Sequence, residues 1–397
     1  MTSSLIYRWT PVFSNNFSTN DFATLVFIPL IFITLRDLKR NWQSVWDDDV
    51  TAADRALLLR AALVFTLTVL TLVHEAGHAL AALQYGGKII EFHYSVIHSW
   101  VRYAGHFTDT QDVWIAFAGN LAGIIASLLF LVAACCLRSP PVVAICGYIG
   151  WLNLANTIIF YPILSLAGFQ GDWLMIYATP AGKLNVEIAA FHALLVFFFI
   201  YGTFSNRVKL WFRRRTDPRW DMEYQRWLSQ LSVAPSLEGW VNLGYTYVRA
   251  GLYGMAKDAA DNANLMEPNS SEVARLQASI AYSERKFNDV IRFCKTITND
   301  LQQPPRLRAM AWINVGHAYR ELRDIGKALE AYDHAIIEDP FLGDARLFKA
   351  ALLLSAGKEP EALQELRTIA PLPLVWIDES NKMQYQSLLT KALSQIG

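Results

Sequence analysis

The sequence predicts an all-α, polytopic membrane protein of about five spans with a small re-entrant β-hairpin, followed by a solenoid of paired helices. Three observations carry this prediction. Long apolar runs fill residues 21–204 and stop there, so the 53% hydrophobic content of the 397 residues averages two regimes. The runs approach the roughly 20 residues that a helix needs to cross a bilayer, where every backbone polar group must be satisfied internally. From residue 236 onward small and large apolar residues recur at a period of about 34, the mark of stacked helix pairs. The expected domains are therefore a membrane domain at 1–204, a juxtamembrane linker at 205–235 and a repeat domain at 236–397.

Charge excludes some partners. Lys and Arg number 35 against 35 Asp and Glu, and the isoelectric point is about 7.1, so nothing points to nucleic acid. Four cysteines, three of them in apolar runs, offer no disulfide framework. The N-terminus lacks the basic, short-apolar, small-residue order of a cleaved signal peptide.

The first expected span is Phe22–Leu35, and the second lies in Ala56–Tyr85. The others are Val113–Leu137, Val142–Ala167 (interrupted by Gly and Pro162) and Val186–Phe204. Arg36, Lys39, Arg40, Arg55 and Arg60 lie between the first two; Arg207, Lys209, Arg213, Arg214 and Arg215 follow the last. Basic residues favour the cytoplasmic face. Five spans place both clusters there, with the N-terminus outside and the repeat domain in the cytoplasm.

The second span carries the chemistry. Ala61–Val73 is free of charge, yet His74-Glu75-Ala76-Gly77-His78 follows directly. On a helix, residues four apart share a face, so two imidazoles at 74 and 78 can hold one Zn2+, with Glu75 beside them to handle a water proton. Ionisable groups at membrane depth are costly and usually functional; the alternative is a helix end whose polar residues face water. A catalytic zinc needs a third protein ligand and an open position. Asp172 is the leading candidate, following the Pro-broken fourth span; His93, His98, His106 and His192 are rivals, and a helix-capping role for Asp172 is the structural alternative.

Gly86–Phe107, opening Gly86-Gly87-Lys88-Ile89-Ile90-Glu91-Phe92-His93-Tyr94, reads as short strands dipping into the membrane face. A strand edge cannot face lipid, so it must line protein or water, and it could align an extended substrate by backbone pairing. An interfacial loop with aromatics at headgroup level is the other reading. Residues 205–235, rich in Arg, Trp and Pro, read as part amphipathic helix near the headgroups.

In the repeat region Trp240, Leu243, Gly244, Tyr247, Ala256, Ala263 and Pro268 match the tetratricopeptide pattern, with Ala260 smaller than usual. A second copy has Trp312, Val315, Gly316, Tyr319, Ala328, Tyr332, Ala335 and Pro340, and two degenerate copies fall in phase around Ala274–Ile297 and Ala350–Leu366. Four helix pairs form a short solenoid whose concave face suits a peptide or partner helix.

Over roughly residues 56–180 the chain resembles the site-2 protease family of intramembrane zinc metalloproteases. The resemblance rests on the His-Glu-Ala-Gly-His-Ala helix, the following Gly-Gly and strand-like stretch, Ala118-Gly119-Asn120, and Asn156, Pro162 and Gly171-Asp172. It implies that His74, His78 and Asp172 hold zinc and that Glu75 activates water to cleave a peptide bond within a membrane-spanning protein substrate. The family's motif is more compact than the Asn156–Asp172 stretch, and Trp173 stands where it has Gly. Asn120 and Asn156 would orient substrate or stitch helices. The competing class is a membrane-anchored tetratricopeptide adapter with a structural or vestigial zinc site, in which His93, His98 or His106 would close a four-ligand shell. A transporter would need an inverted repeat that the sequence lacks.

Overall fold

The computed structural model describes residues 19–47, 49–94, 99–167, 171–369 and 373–394, with the side chains of the first helix described from Phe27. The expectation about a signal peptide concerns residues 1–18, outside that set. The chain divides into two units, Met1–Met222 and Glu223–Gly397.

In the first unit α1 (Thr19–Arg40) leads through a helical turn at Trp42–Val45 to α2 (Ala52–Gln84). α2 starts where it does because Thr51 and Asp54 cap it reciprocally. The Thr51 hydroxyl accepts from the Asp54 N–H, and the Asp54 carboxylate accepts from the Thr51 N–H. Such a cap stabilises a helix start by about 1 kcal/mol. The hairpin follows as expected: β1 (Lys88–Tyr94) pairs antiparallel with β2 (Ser99–Ala104), with a register shift between Ile89 and Glu91. α3 (Asp109–Cys136) opens on the same kind of cap, Thr108 with Gln111.

α4 (Pro140–Ala155) runs into a π-turn at Asn156–Phe160 and then α5 (Tyr161–Leu166). The cause of the irregularity is Pro162, which has no N–H for the helical ladder. α6 (Asp172–Ala178) and α7 (Lys183–Phe204) complete the bundle, and α8 (Asn206–Thr216) and α9 (Pro218–Val233) follow.

Among the described residues four helices are long and apolar enough to cross a membrane: α2, α3, the Pro140–Leu166 run and α7. The expected first span, Phe22–Leu35, falls inside α1, which is not among the four. Leu80, Leu129, Ile163 and Phe197 stand exposed on these helices, as side chains whose solvent is hydrocarbon. The inner faces pack through Ala62, Leu70 and Ile149, and through Ile124, Leu154 and Ile158.

One end of the bundle gathers the basic residues. Arg55 at the start of α2 pairs with Asp217 at 2.9 Å, and Asp217 also takes Arg213 at 2.7 Å. Arg60 pairs with Asp37 and Arg219 with Asp49, each at 2.5 Å, while Arg215 donates to the Leu137 carbonyl just past α3. The two basic clusters of the sequence therefore share one end, as four crossings between Arg55 and Arg213 require.

The second unit stacks helix pairs: α10 (Leu237–Arg249) with α11 (Tyr253–Met266), and α12 (Ser271–Ser283) with α13 (Phe287–Thr298). α14 (Pro305–Glu321) with α15 (Ile325–Glu338) and α16 (Gly343–Ser355) with α17 (Glu359–Ile369) complete the four pairs. Each turn within a pair places one residue in the left-handed region: Gly251, Arg285, Arg323 and Gly357. The repeat's small residues, Ala256, Ala263, Ala328 and Ala335, are fully buried at helix crossings. A Cβ on Gly316 would meet the buried Tyr332 ring at 2.4 Å. A last helix, α18 (Glu379–Ser394), packs against α16, held by Asp344, which accepts from the Ile377 N–H and from Asn381.

Candidate metal centre

His74, Glu75 and His78 lie on α2, one of the four helices long and apolar enough to cross a membrane, some 21–27 Å along it from Arg60 at 1.5 Å per residue. The Nε2 atoms of His74 and His78 are 3.0 Å apart. Asp172 Oδ2 lies 2.9 Å from the first and 3.1 Å from the second. These are the one group of metal-type ligands found among the described residues, with all ligand atoms within 4.8 Å of one another. Asp172 is the first residue of α6, and its neighbour Gly171 takes the N-cap position without a side-chain cap. The carboxylate is thus turned to the histidines instead of capping the helix.

The donor chemistry fits a cation. His78 Nδ1 sits 2.7 Å from the Ile115 carbonyl, which can only accept, so Nδ1 carries a proton. In the neutral ring the Nε2 lone pair then faces His74 Nε2 at 3.0 Å and a carboxylate oxygen at 3.1 Å, so that two lone pairs, of His78 and Asp172, are turned toward one another. A bound metal resolves that conflict, and a carbonyl behind a ligating histidine is the usual way its tautomer is fixed. Tetrahedral zinc with bonds of about 2.0–2.1 Å separates its ligand atoms by roughly 3.3 Å, close to the triangle seen here.

Other groups hold the triangle in shape. The Tyr161 hydroxyl donates to Asp172 Oδ2 at 3.0 Å and accepts the Asp172 N–H at 3.2 Å. Asn120, fully buried, donates to the Ala116 carbonyl at 3.1 Å and to Asp172 Oδ2 at 3.4 Å. The Tyr161 ring meets His74 edge-on at 5.6 Å. Close approach of α2 and α3 depends on glycine: a Cβ on Gly119 would sit 2.3 Å from His78 Nε2, and one on Gly77 would sit 2.5 Å from the Ala118 carbonyl. Small residues are how membrane helices come this near. Glu75 is buried, and the backbone of Val101 in β2 lies close enough to interact with its carboxylate, so the hairpin lies over this side chain.

Residues 50–241 match the family model described as Peptidase M50B-like, the site-2 protease family, and residues 309–340 match that of a tetratricopeptide repeat. No curated protein matches the sequence. Among solved structures, "Crystal structure of MamA" matches with 18% identity and a TM-score of 0.33, covering 45% of this chain and 95% of that one. "Crystal structure of APC/C hetero-tetramer Cut9-Hcn1" matches with 14% identity and a TM-score of 0.35, covering 70% of this chain and 56% of that one.

The rival ligands fall elsewhere. His93 stacks on Trp100 at 5.2 Å in the hairpin, and His106 lies exposed beyond β2. His98 is outside the described residues. His192 of α7 joins a separate cluster around Trp173. Asn156 opens the π-turn, its carbonyl accepting the Tyr161 N–H. Trp173 fills its site completely, with its indole N–H donating to the Thr157 carbonyl at 3.1 Å. Sequence reasoning missed Tyr161; the signal available was its place beside Pro162, where a disturbed helix aims a side chain away from the regular register.

Proposed function

We propose that the chain is an intramembrane zinc metalloprotease, with His74, His78 and Asp172 as metal ligands and Glu75 as general base. The observation that supports this most is the meeting of two imidazoles and a carboxylate on one point inside an apolar bundle, with Glu75 next to the first. Zinc, when bound, supplies a Lewis acid that brings water within reach of deprotonation near neutral pH. Glu75 takes the proton from the attacking water and later passes it to the leaving amine of the scissile peptide. Tyr161 and Asn120 keep the Asp172 carboxylate oriented, and the Ile115 carbonyl fixes the His78 tautomer. The substrate is a membrane-spanning protein segment, locally unwound, because the peptide bonds of an intact helix are shielded. The edge of β1 offers such a segment backbone pairing.

The membrane domain is assigned to 1–204, the linker to 205–235 and the repeat domain to 236–397. The basic end faces the cytoplasm by the charge rule, and the repeats bind a peptide or protein that delivers substrate or regulates cleavage. The test uses purified full-length protein. Wild type should hold one zinc per chain and His74→Ala none. Glu75→Gln should keep the zinc while cleavage of a transmembrane reporter peptide drops by at least about 100-fold. A Glu75→Gln protein that cleaves at the wild-type rate sinks the mechanism, and wild type purified without affinity for zinc sinks the site.

A further inference from the structure

The π-turn and Pro162 take the usual helical donors from two carbonyls, and both are met by side chains from outside the helix. Because the Tyr161 N–H bonds to Asn156 O, five residues back, the Thr157 carbonyl loses its usual donor. Because Pro162 has no N–H, the Ile158 carbonyl loses its own. At membrane depth such groups must be satisfied by neighbouring helices. Trp173 Nε1–H donates to Thr157 O at 3.1 Å, and His192 Nε2 lies 2.7 Å from Ile158 O. The two side chains also pack on one another, with ring centroids 4.2 Å apart. The Ile158 carbonyl only accepts, so Nε2 of His192 carries the proton. Nδ1 of the neutral ring then accepts from the Tyr177 hydroxyl at 2.7 Å.

His192 thus ties α7 to the π-turn and to both ends of α6, through Trp173 and Tyr177. α6 begins with Asp172. We propose that His192 is a positioning residue: with Trp173 it locks α6 against the π-turn and so holds the Asp172 carboxylate opposite His74 and His78. This rests on the metal-site reading above. It assigns a purpose to an imidazole placed in an apolar span, where such groups rarely stand without one.

The test measures affinity for zinc alone, by chelator competition, and the visible absorption of the Co2+-loaded protein, both on the full chain in detergent. His192→Ala should weaken zinc binding by about 10–100-fold, the range for removing an outer-shell partner of a metal ligand, and should shift the Co2+ spectrum. His192→Gln can still donate to Ile158 O and accept from Tyr177, and should restore both to near wild type. If His192→Ala does not fold, Tyr177→Phe replaces it and should weaken binding by about tenfold. Wild-type affinity and spectrum in His192→Ala, or in Tyr177→Phe where that is the variant measured, overturn the proposal. A folded His192→Gln protein as weak as His192→Ala overturns it too. If wild type and His74→Ala bind zinc equally, the site reading itself has failed and this inference falls with it; if they differ while His192→Ala matches wild type, only the inference falls.

Discussion

At the scale of the residue the site depends on what is small as much as on what is charged. His78 reaches its place only because α3 presents Gly119 to the imidazole, with a would-be Cβ 2.3 Å from Nε2. Gly119→Ala should therefore push the ring off its line with His74 and Asp172. We expect at least a tenfold loss of zinc affinity, read by chelator competition, with helix content by circular dichroism unchanged. Zinc affinity equal to wild type would show that His78 has room to spare. Tyr161 and Asn120 act on the other side of the triangle: both donate to the same oxygen, Asp172 Oδ2, that faces the two histidines.

At the scale of the element two features of the repeat unit yield predictions. Arg285 and Arg323 occupy the left-handed backbone position that Gly251 and Gly357 fill in the other two turns, with φ of 61° and 64°. A side chain there costs about 1 kcal/mol, which glycine avoids, less the entropy that glycine loses on folding. Arg285→Gly and Arg323→Gly should each stabilise their helix pair by up to about 1 kcal/mol, seen as slower amide exchange in α12–α13 or α14–α15 of the full chain. Faster exchange would contradict this account of the turns.

His317, in α14, hydrogen-bonds Tyr332 at 2.8 Å and packs on Phe348. Burial first, and the charge of Arg320 second, push its pKa down from 6.5 to about 4, against a smaller opposing pull from Glu321. The folded repeat holds this ring neutral, while the unfolded chain protonates it below pH 6.5. Stability from this group is complete above pH 6.5 and is lost as pH falls from 6.5 to 4, by at most about 3 kcal/mol. Amide exchange in α14 and α15 should quicken over that window and lose much of its pH dependence, beyond the intrinsic rate, in His317→Phe. An identical profile in both proteins would remove His317 as the cause.

At the scale of the whole molecule the ion pairs of Asp217 with Arg55 and Arg213 place the beginning of α2 and the chain beyond α7 at one end of the bundle. The hairpin follows the far end of α2, about 50 Å away along a helix of 33 residues. A crossing α2 puts His106, beyond the hairpin, and Arg207 on opposite faces of the membrane. Cysteines introduced at His106 and at Arg207, in a background without the native ones, should react with an impermeant maleimide from opposite sides of sealed vesicles. Labelling of both from one side would mean that α2 does not cross.

Much of this was legible in the sequence because it is local. The His74-Glu75-His78 face follows from helical spacing within one turn. Four of the five expected spans coincide with helices long and apolar enough to cross a membrane, and the repeats follow from a period that survives in Trp240, Gly244 and Tyr247 and again in Trp312, Gly316 and Tyr319. Asp172 could be named as a candidate but not separated by its residues alone from rivals such as His192, since nothing along the chain says which polar group a broken helix will turn inward. The tertiary structure decided that. It brought Asp172 to His78 across 94 residues of sequence, set Tyr161 behind it, and sent His192 to an orphaned carbonyl instead. The physical reason is that Pro162 and the π-turn displace the helical register, and the carbonyls and side chains so released find partners only through space.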